Sequence, residues 1–297
     1  MFLVYFSIFF AAFLLSRALF KPALSLSYKV GAIDTPNNRK IHTRATARGG
    51  GLTFFVAFTV ILLMLPIDVN FKVALALGGT TTFLIGFWDD ATSLSPFQKL
   101  AGQFLRAAVY IILRGEMGIA EGALILIWLV FIGNSINLSD GIDGLASGIT
   151  ASQSICLAAL GLIVGNSDVW VCSLLLLGAI LGFLPRNFPN AKIFMGDGGA
   201  LFLGFTLGAL SSDLVANAPS PILVLSVYLI FRMPNADAVS SFVRRAIKRK
   251  NPFSADRGHF HHRLLDWGFS KECAALALTT ATLFLGFVGV LIALMGI

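Results

Sequence analysis

The stretch GALILIWLVFIGNSINLSDGIDGLASGIT, residues 122–150, begins as a lipid-compatible helix. It then places two asparagines, two aspartates and several glycines where a second apolar run is about to start. An aspartate at the centre of a spanning helix costs about 2.5–3.5 kcal/mol on insertion scales, so this polarity belongs at a helix end facing water or protein. Asn134, Asn137, Asp140 and Asp143 are spaced by three, which keeps neighbouring members on one side of a helix with a gradual drift. Gly141 and Gly144 are positioned to release that helix into a turn. The stretch therefore reads as two spans joined by a polar, chemically equipped hinge.

Working outward, apolar runs recur at about 2–20, 51–66, 72–88, 99–113, 122–138, 145–164, 169–184, 199–216, 221–233 and 272–296. Most approach the roughly 20 residues that cross a bilayer. With 57% hydrophobic and 12% charged residues in 297, the chain is not an ordinary soluble globule. The expected fold is all-α: one polytopic membrane domain, residues 1–297, with about ten transmembrane helices and a cytoplasmic loop at 233–270. The first run has no basic residue ahead of it and no small-residue cleavage site, so it is expected to be retained. Cys156, Cys172 and Cys273 lie in or beside apolar runs without CxxC spacing and read as small hydrophobes.

With ten spans, the connections near 17–50, 89–106, 186–192 and 232–271 hold 20 of the 22 Lys and Arg residues. The opposite set holds Lys72 and Arg114. The positive-inside rule then puts the basic set in the cytoplasm and both termini outside. The net charge of +7 reads as topology, since no nucleic-acid module accompanies it.

The polar motifs fall on the same side. GFWDD, residues 86–90, ends one run with paired carboxylates, and Lys99 follows one or two turns into the next. Paired aspartates repel unless a cation or a shared proton intervenes, which proposes a divalent ion or a general base. NFPNAKIFMGDGGALFLG, residues 187–204, puts Asp197 between glycines at a helix start, where it serves as a cap or as a magnesium ligand. FVRRAIKRKNPFSADRGHFHHRLLDWG, residues 242–268, carries basic residues suited to anionic lipid and three of the chain's four histidines. Without a nearby cysteine the HxHH cluster is a poor zinc site. With Arg257 and Arg263 it reads as a set of donors to phosphate or sugar oxygens. Carboxylates, a divalent cation and cationic donors on a lipid-embedded bundle suit phosphoryl transfer from a soluble donor to a lipid.

NxxNxxDGxDGL, FMGD and HxHH, following an aspartate pair, together resemble the polyprenyl-phosphate N-acetylhexosamine-1-phosphate transferase superfamily, from about Asp34 to Gly268. DRGHFHHRLLDWG and GAIDTPNNRKIH are similar to its bacterial branch that uses UDP-N-acetylglucosamine. The resemblance implies transfer of GlcNAc 1-phosphate from UDP-GlcNAc to undecaprenyl phosphate, releasing UMP and starting a cell-envelope polysaccharide at the bacterial inner membrane.

By the same resemblance, Asp89 or Asp90 is the catalytic base or nucleophile and Asp197 a ligand of Mg²⁺, with Mn²⁺ as a substitute. Asp140 and Asp143 are further metal or nucleotide contacts. Asn137 and Asn187 line the nucleotide site, Lys99 meets the lipid phosphate, and Arg257, His259, His261 and His262 hold the sugar phosphate. A homodimer is compatible with it. The chain departs from the family pattern at Gly196–Asp197–Gly198–Gly199–Ala200, where relatives commonly have GDSGS, and at Ala47–Arg48–Gly49–Gly50, where they commonly have PRxGG. Alternatives are the phospho-MurNAc-pentapeptide transferase branch, another UDP-HexNAc specificity, and an ion-coupled transporter. The transporter is disfavoured by the absence of a visible repeat and by acids gathered at one face.

Overall fold

A computed structural model describes residues 2–35, 45–115, 117–249 and 258–296. Every apolar run becomes a helix, because a chain in hydrocarbon must satisfy its own backbone polar groups. In chain order these are α1 (Phe2–Ala18), α2 (Phe20–Val30), α3 (Gly51–Met64), α4 (Val69–Thr92), α5 (Pro96–Arg114) and α6 (Ile119–Ser139). There follow α7 (Leu145–Val164), α8 (Ser167–Asn187), α9 (Gly196–Asn217), α10 (Pro221–Ile247), α11 (Phe260–Asp266) and α12 (Lys271–Gly296). Two short strands, β1 (Ile33–Asp34) and β2 (Thr46–Ala47), pair antiparallel with Ile33 opposite Ala47.

The result is an all-helical, polytopic membrane protein. Among the described residues, seven helices are long and apolar enough to cross a bilayer, or eight if α1 and α2, bent by 43°, count as one span. This is fewer than the ten that hydropathy suggests. Helix α3 has only 14 residues, and α5 carries Lys99, Gln103, Arg106 and Arg114 within its 19.

The expected loop at 233–270 also begins too early. Residues 233–247 are the second half of α10, which continues through Pro234. Arg232, Asn235 and Asp237 lower the local hydropathy, but they do not remove the need for helical hydrogen bonds.

Helix α9 is the centre of the bundle, packed against α3, α4, α6, α7 and α8. Its glycines permit three close crossings. A Cβ on Gly51 would lie 2.4 Å from Gly199 Cα, one on Gly86 would lie 2.5 Å from Gly198 Cα, and one on Gly204 would lie 2.7 Å from Gly133 Cα. Small residues at such crossings bring backbones together where hydrophobic association offers no drive. Around the first two, Phe54, Phe55, Phe58, Phe83 and Phe202 form an aromatic cluster with edge-on and stacked contacts.

Helix α5 lays a polar stripe along this core. Lys99, Gln103, Arg106, Tyr110 and Arg114 recur at helical spacing, and all but Gln103 bond to α9. Gln103 instead exchanges hydrogen bonds with Asn134 of α6, at 3.0 and 2.6 Å. At the far end, Arg114 donates to Asp213 at 2.9 and 2.8 Å, and Asn166 and Asn217 donate to the same carboxylate. The connections at that end, where the sequence shows Arg114 and Lys72 as the basic residues, hold a closed polar staple.

Candidate active site

The site lies where α4 ends and α5, α7 and α9 begin. Ser95 caps α5 reciprocally with Gln98, so the connection from α4 is tight and Lys99 falls in the first turn facing back to Asp89. The Lys99 ammonium donates to Asp89, and to Asp197 at 3.2 Å. Asp89 also accepts the Leu94 N–H at 2.7 Å.

Asp90 has a different task. It accepts the backbone N–H groups of Asp197 and Gly198 at 2.9 and 3.0 Å, so both its oxygens cap the start of α9. Its side chain is 0% exposed, whereas that of Asp197 is 22% exposed. Of the two aspartates, Asp89 shares its ammonium with the open carboxylate.

Asn137 Nδ2 donates to Asp197 Oδ1 at 3.2 Å, which brings the end of α6 to the same point. Helix α6 stops at Ser139, Asp140 caps it, and Gly144 takes a positive φ of 76° before α7 begins. Asp143 accepts the Ala191 N–H at 3.1 Å, tying this turn to the loop before α9. Asn134 is engaged with Gln103 and so serves the helix crossing.

Asn187 braces the turn between α6 and α7. Its amide oxygen accepts from Gly144 N–H and Ser147 Oγ, its amide nitrogen donates to Ile193 O, and the residue is 2% exposed.

The histidines join the same turn. A Cβ on Gly141 would lie 2.3 Å from His261 Nε2, so glycine there lets the ring seat against the α6–α7 turn. His259 and His261 stack with centroids 5.8 Å apart, and His262 lies 4.3 Å from His261. His259 Nδ1 meets Asp237 Oδ2 at 2.9 Å, and Asp237 Oδ1 accepts the Phe260 N–H at 2.8 Å. Burial, with His262 and His259 nearby, lowers the pKa of His261 to about 4. That ring is therefore neutral at pH 7 and is not a cationic donor. Arg257 lies outside the described residues.

Two residues that the sequence did not single out as functional complete the arrangement. Asp237 holds His259; its signal was a helical repeat with Ser241 and Arg245, hidden by treating the segment as loop. Arg48 sits 3.6 Å from Asp90 Oδ1 and 3.9 Å from Asp197 Oδ1. It is placed by Arg48 N–H bonding to Ala32 O and by Phe194 N–H bonding to Ala47 O. Burial opposes its charge, but Asp90, Asp197, Asp34 and Asp140 outweigh burial and raise its pKa. Asp140 is pushed up to about 7, by burial first and then by Asp197, with Arg48 opposing.

The donor set suits a hard divalent cation. Among the described residues, the four acids Asp89, Asp90, Asp140 and Asp197 gather around two cations, Lys99 and Arg48. Among the described residues no group of three or more His, Cys, Asp or Glu forms a ready metal cage. Asp197, at 22% side-chain exposure, is more open than Asp89 at 5% or Asp90 at 0%, so it is the one of these three best placed to reach a cation that substrate phosphates would complete.

Comparison with known proteins identifies relatives of the chain. The glycosyl transferase family 4 model matches residues 72–215. A probable undecaprenyl-phosphate N-acetylglucosaminyl 1-phosphate transferase of Bacillus subtilis is 33% identical over 270 residues, covering 85% of this chain and 75% of the relative. A decaprenyl-phosphate N-acetylglucosaminephosphotransferase of Mycolicibacterium smegmatis is 33% identical over 302 residues, covering 84% and 73%. An undecaprenyl-phosphate alpha-N-acetylglucosaminyl 1-phosphate transferase of Escherichia coli K12 is 29% identical over 295 residues, covering 91% and 78%. With the DGxDG turn, the FMGD helix start and the histidine cluster drawn to one end of the bundle, the chain belongs to glycosyl transferase family 4, in its bacterial polyprenyl-phosphate N-acetylglucosamine-phosphate transferase branch.

Proposed function

We propose that the protein transfers N-acetylglucosamine 1-phosphate from UDP-GlcNAc to undecaprenyl phosphate, giving undecaprenyl-diphospho-GlcNAc and UMP. The observation that carries this reading is the Lys99 ammonium held between Asp89 and Asp197 at the mouth of a membrane-embedded bundle. An ammonium already shared by two carboxylates can pass to an incoming phosphate, and that exchange frees Asp89 to act as base.

The reaction is an in-line displacement. A phosphate oxygen of the lipid bonds to the sugar-linked phosphorus, the bond from that phosphorus to the bridging oxygen breaks, and UMP departs with the bond electrons. Asp89 takes the remaining proton of the lipid phosphate when one is present. Lys99 and Arg48 stabilise charge on the phosphoryl oxygens. Asp197, with Asp140 or Asp143 nearby, would hold Mg²⁺, which when bound would supply charge neutralisation of the pyrophosphate. His259, oriented by Asp237, and His262 face the sugar phosphate. In this reading the site opens to the cytoplasm of the bacterial inner membrane, in keeping with the basic residues on that side.

Purified protein in detergent, given UDP-GlcNAc, undecaprenyl phosphate and Mg²⁺, is expected to release UMP. Absence of UMP with UDP-GlcNAc and every other UDP-HexNAc would overturn the reading. Faster turnover of UDP-GalNAc than of UDP-GlcNAc would overturn the donor assignment alone.

A further inference from the structure

Arg106 is 1% exposed, and it lies within the helical bundle. A guanidinium has five donor positions and does not lose its charge. Here its acceptors are two main-chain carbonyls, Leu201 O of α9 at 3.3 Å and Leu129 O of α6 at 3.5 Å, both long for charged donors. Its Nε has no partner, and among the described residues no carboxylate pairs with it. Gly133 is shaped to receive it, since a Cβ there would lie 2.1 Å from Arg106 Nη2.

A cation kept in a spanning bundle without a counter-ion is costly, and a purely structural residue would not require the charge. Its surroundings point toward the site. Arg106 is two turns beyond Lys99 on the same face of α5, with Gln103 between them. Together with Asp89 they line one small cavity of about 10 Å³, close to the least that admits a single water. The acid excess of the site therefore has a fixed positive charge directly beneath it.

We propose that Arg106 is a positioning residue of the active site, a buried cation that offsets the Asp89–Asp197 carboxylate cluster and so sets how strongly the site takes a divalent cation against an anionic phosphate. This rests on the proposed transfer reaction for its phosphate half only. Seven residues of helix separate Arg106 from Lys99 by roughly 10 Å. Over that distance, at the effective dielectric of protein sites, one charge changes the affinity for another by on the order of tenfold. The two ligands respond with opposite signs: removing the charge tightens a divalent cation and weakens an anion. Loss of packing alone would loosen both, or would lower the active fraction with KM unchanged.

The test compares wild type, Arg106→Gln and Arg106→Lys in detergent, with Mn²⁺ as a paramagnetic probe read by electron paramagnetic resonance without substrate. Arg106→Gln is expected to bind Mn²⁺ on the order of 10²-fold more tightly, about tenfold for each of the ion's two charges. Its KM for undecaprenyl phosphate should rise by a similar factor while kcat stays near wild type. Arg106→Lys keeps the charge and should restore both constants. If the glutamine variant fails to fold, Arg106→Met carries the same comparison. Unchanged or weakened Mn²⁺ binding in a folded, charge-free variant would overturn the proposal. Tightened Mn²⁺ binding with no UMP release from wild type would leave the electrostatic role standing and remove the transfer reaction.

Discussion

Helices α5 and α9 meet in an ion pair at each end of the bundle, and the two pairs have different surroundings. At one end Arg114 and Asp213 are joined by two short hydrogen bonds, with Asn166 and Asn217 supplying neutral donors to the same carboxylate. At the other, Lys99 is shared between Asp89 and Asp197, and Asp90, Asp140 and Arg48 crowd around them. The first carboxylate has all the donors it can use. The second is one of several acids competing for too few cations, and such a set gains by admitting a metal ion and substrate phosphates. The same α5–α9 contact thus builds a staple where charges are matched and a reactive site where they are not.

The largest expected effect separates the two ends by activity. Asp197→Asn should lower UMP release by about 10²–10³-fold, because an amide is a poor substitute for the carboxylate in holding the proposed cation that would neutralise charge on the phosphoryl oxygens. Its melting temperature in detergent should stay within a few degrees of wild type. Wild-type turnover in this variant would remove Asp197 from the metal site.

The next effect is on stability. Asp213→Ala leaves Arg114, which is 23% exposed, with only the more exposed Asp68 at 3.6 Å among the described carboxylates. It should cost about 1–3 kcal/mol, read from thermal unfolding, with UMP release per folded molecule retained. Replacing both partners, Arg114→Met with Asp213→Leu, should recover most of that loss. A double variant no more stable than Asp213→Ala would show that the neutral amides, and not the pair, hold this end together.

The smallest effect is a pH dependence confined to the site end. His261 has a folded pKa near 4, below the ordinary value of 6.5, so the folded state favours the neutral ring. Its contribution to stability is fully present above about pH 6.5 and is lost as the pH falls toward 4. The wild-type melting temperature should therefore fall more steeply over that window than that of His261→Asn. Parallel slopes would mean that the ring is not held neutral by burial against the α6–α7 turn.

Much of this was legible in the sequence, and the reasons differ by feature. Apolar runs mark helices because hydrocarbon leaves the backbone no other partner, so α6 and α7 were readable to within a few residues. The polar motifs marked one end of the bundle because carboxylates avoid its middle. The division of labour within a motif was not readable. Asp89 and Asp90 are adjacent and chemically identical, and only the arrival of α9 makes one a cap and the other a partner of Lys99. Asn187 and Asn137 look alike as amides near acids, yet one is enclosed in a turn and the other reaches Asp197. Hydropathy averaging hid the second half of α10, and with it Asp237 behind His259.

The glycine crossings of α9 also bear on the order in which the protein can become competent. Each of the three partner helices, α3, α4 and α6, precedes α9 in the chain, so all three are synthesised before the residues they must touch. Until α9 threads between them, Asp90 has no N–H groups to cap and Lys99 has only one carboxylate. A nascent chain stalled before residue 196 would therefore carry most of the conspicuous motifs but lack Asp197, the carboxylate that Lys99, Asn137 and Arg48 converge on. The aspartate centre thus waits for α9, and the histidines held by Asp237 and Gly141 join it later still, because α10 and α11 follow α9 in the chain.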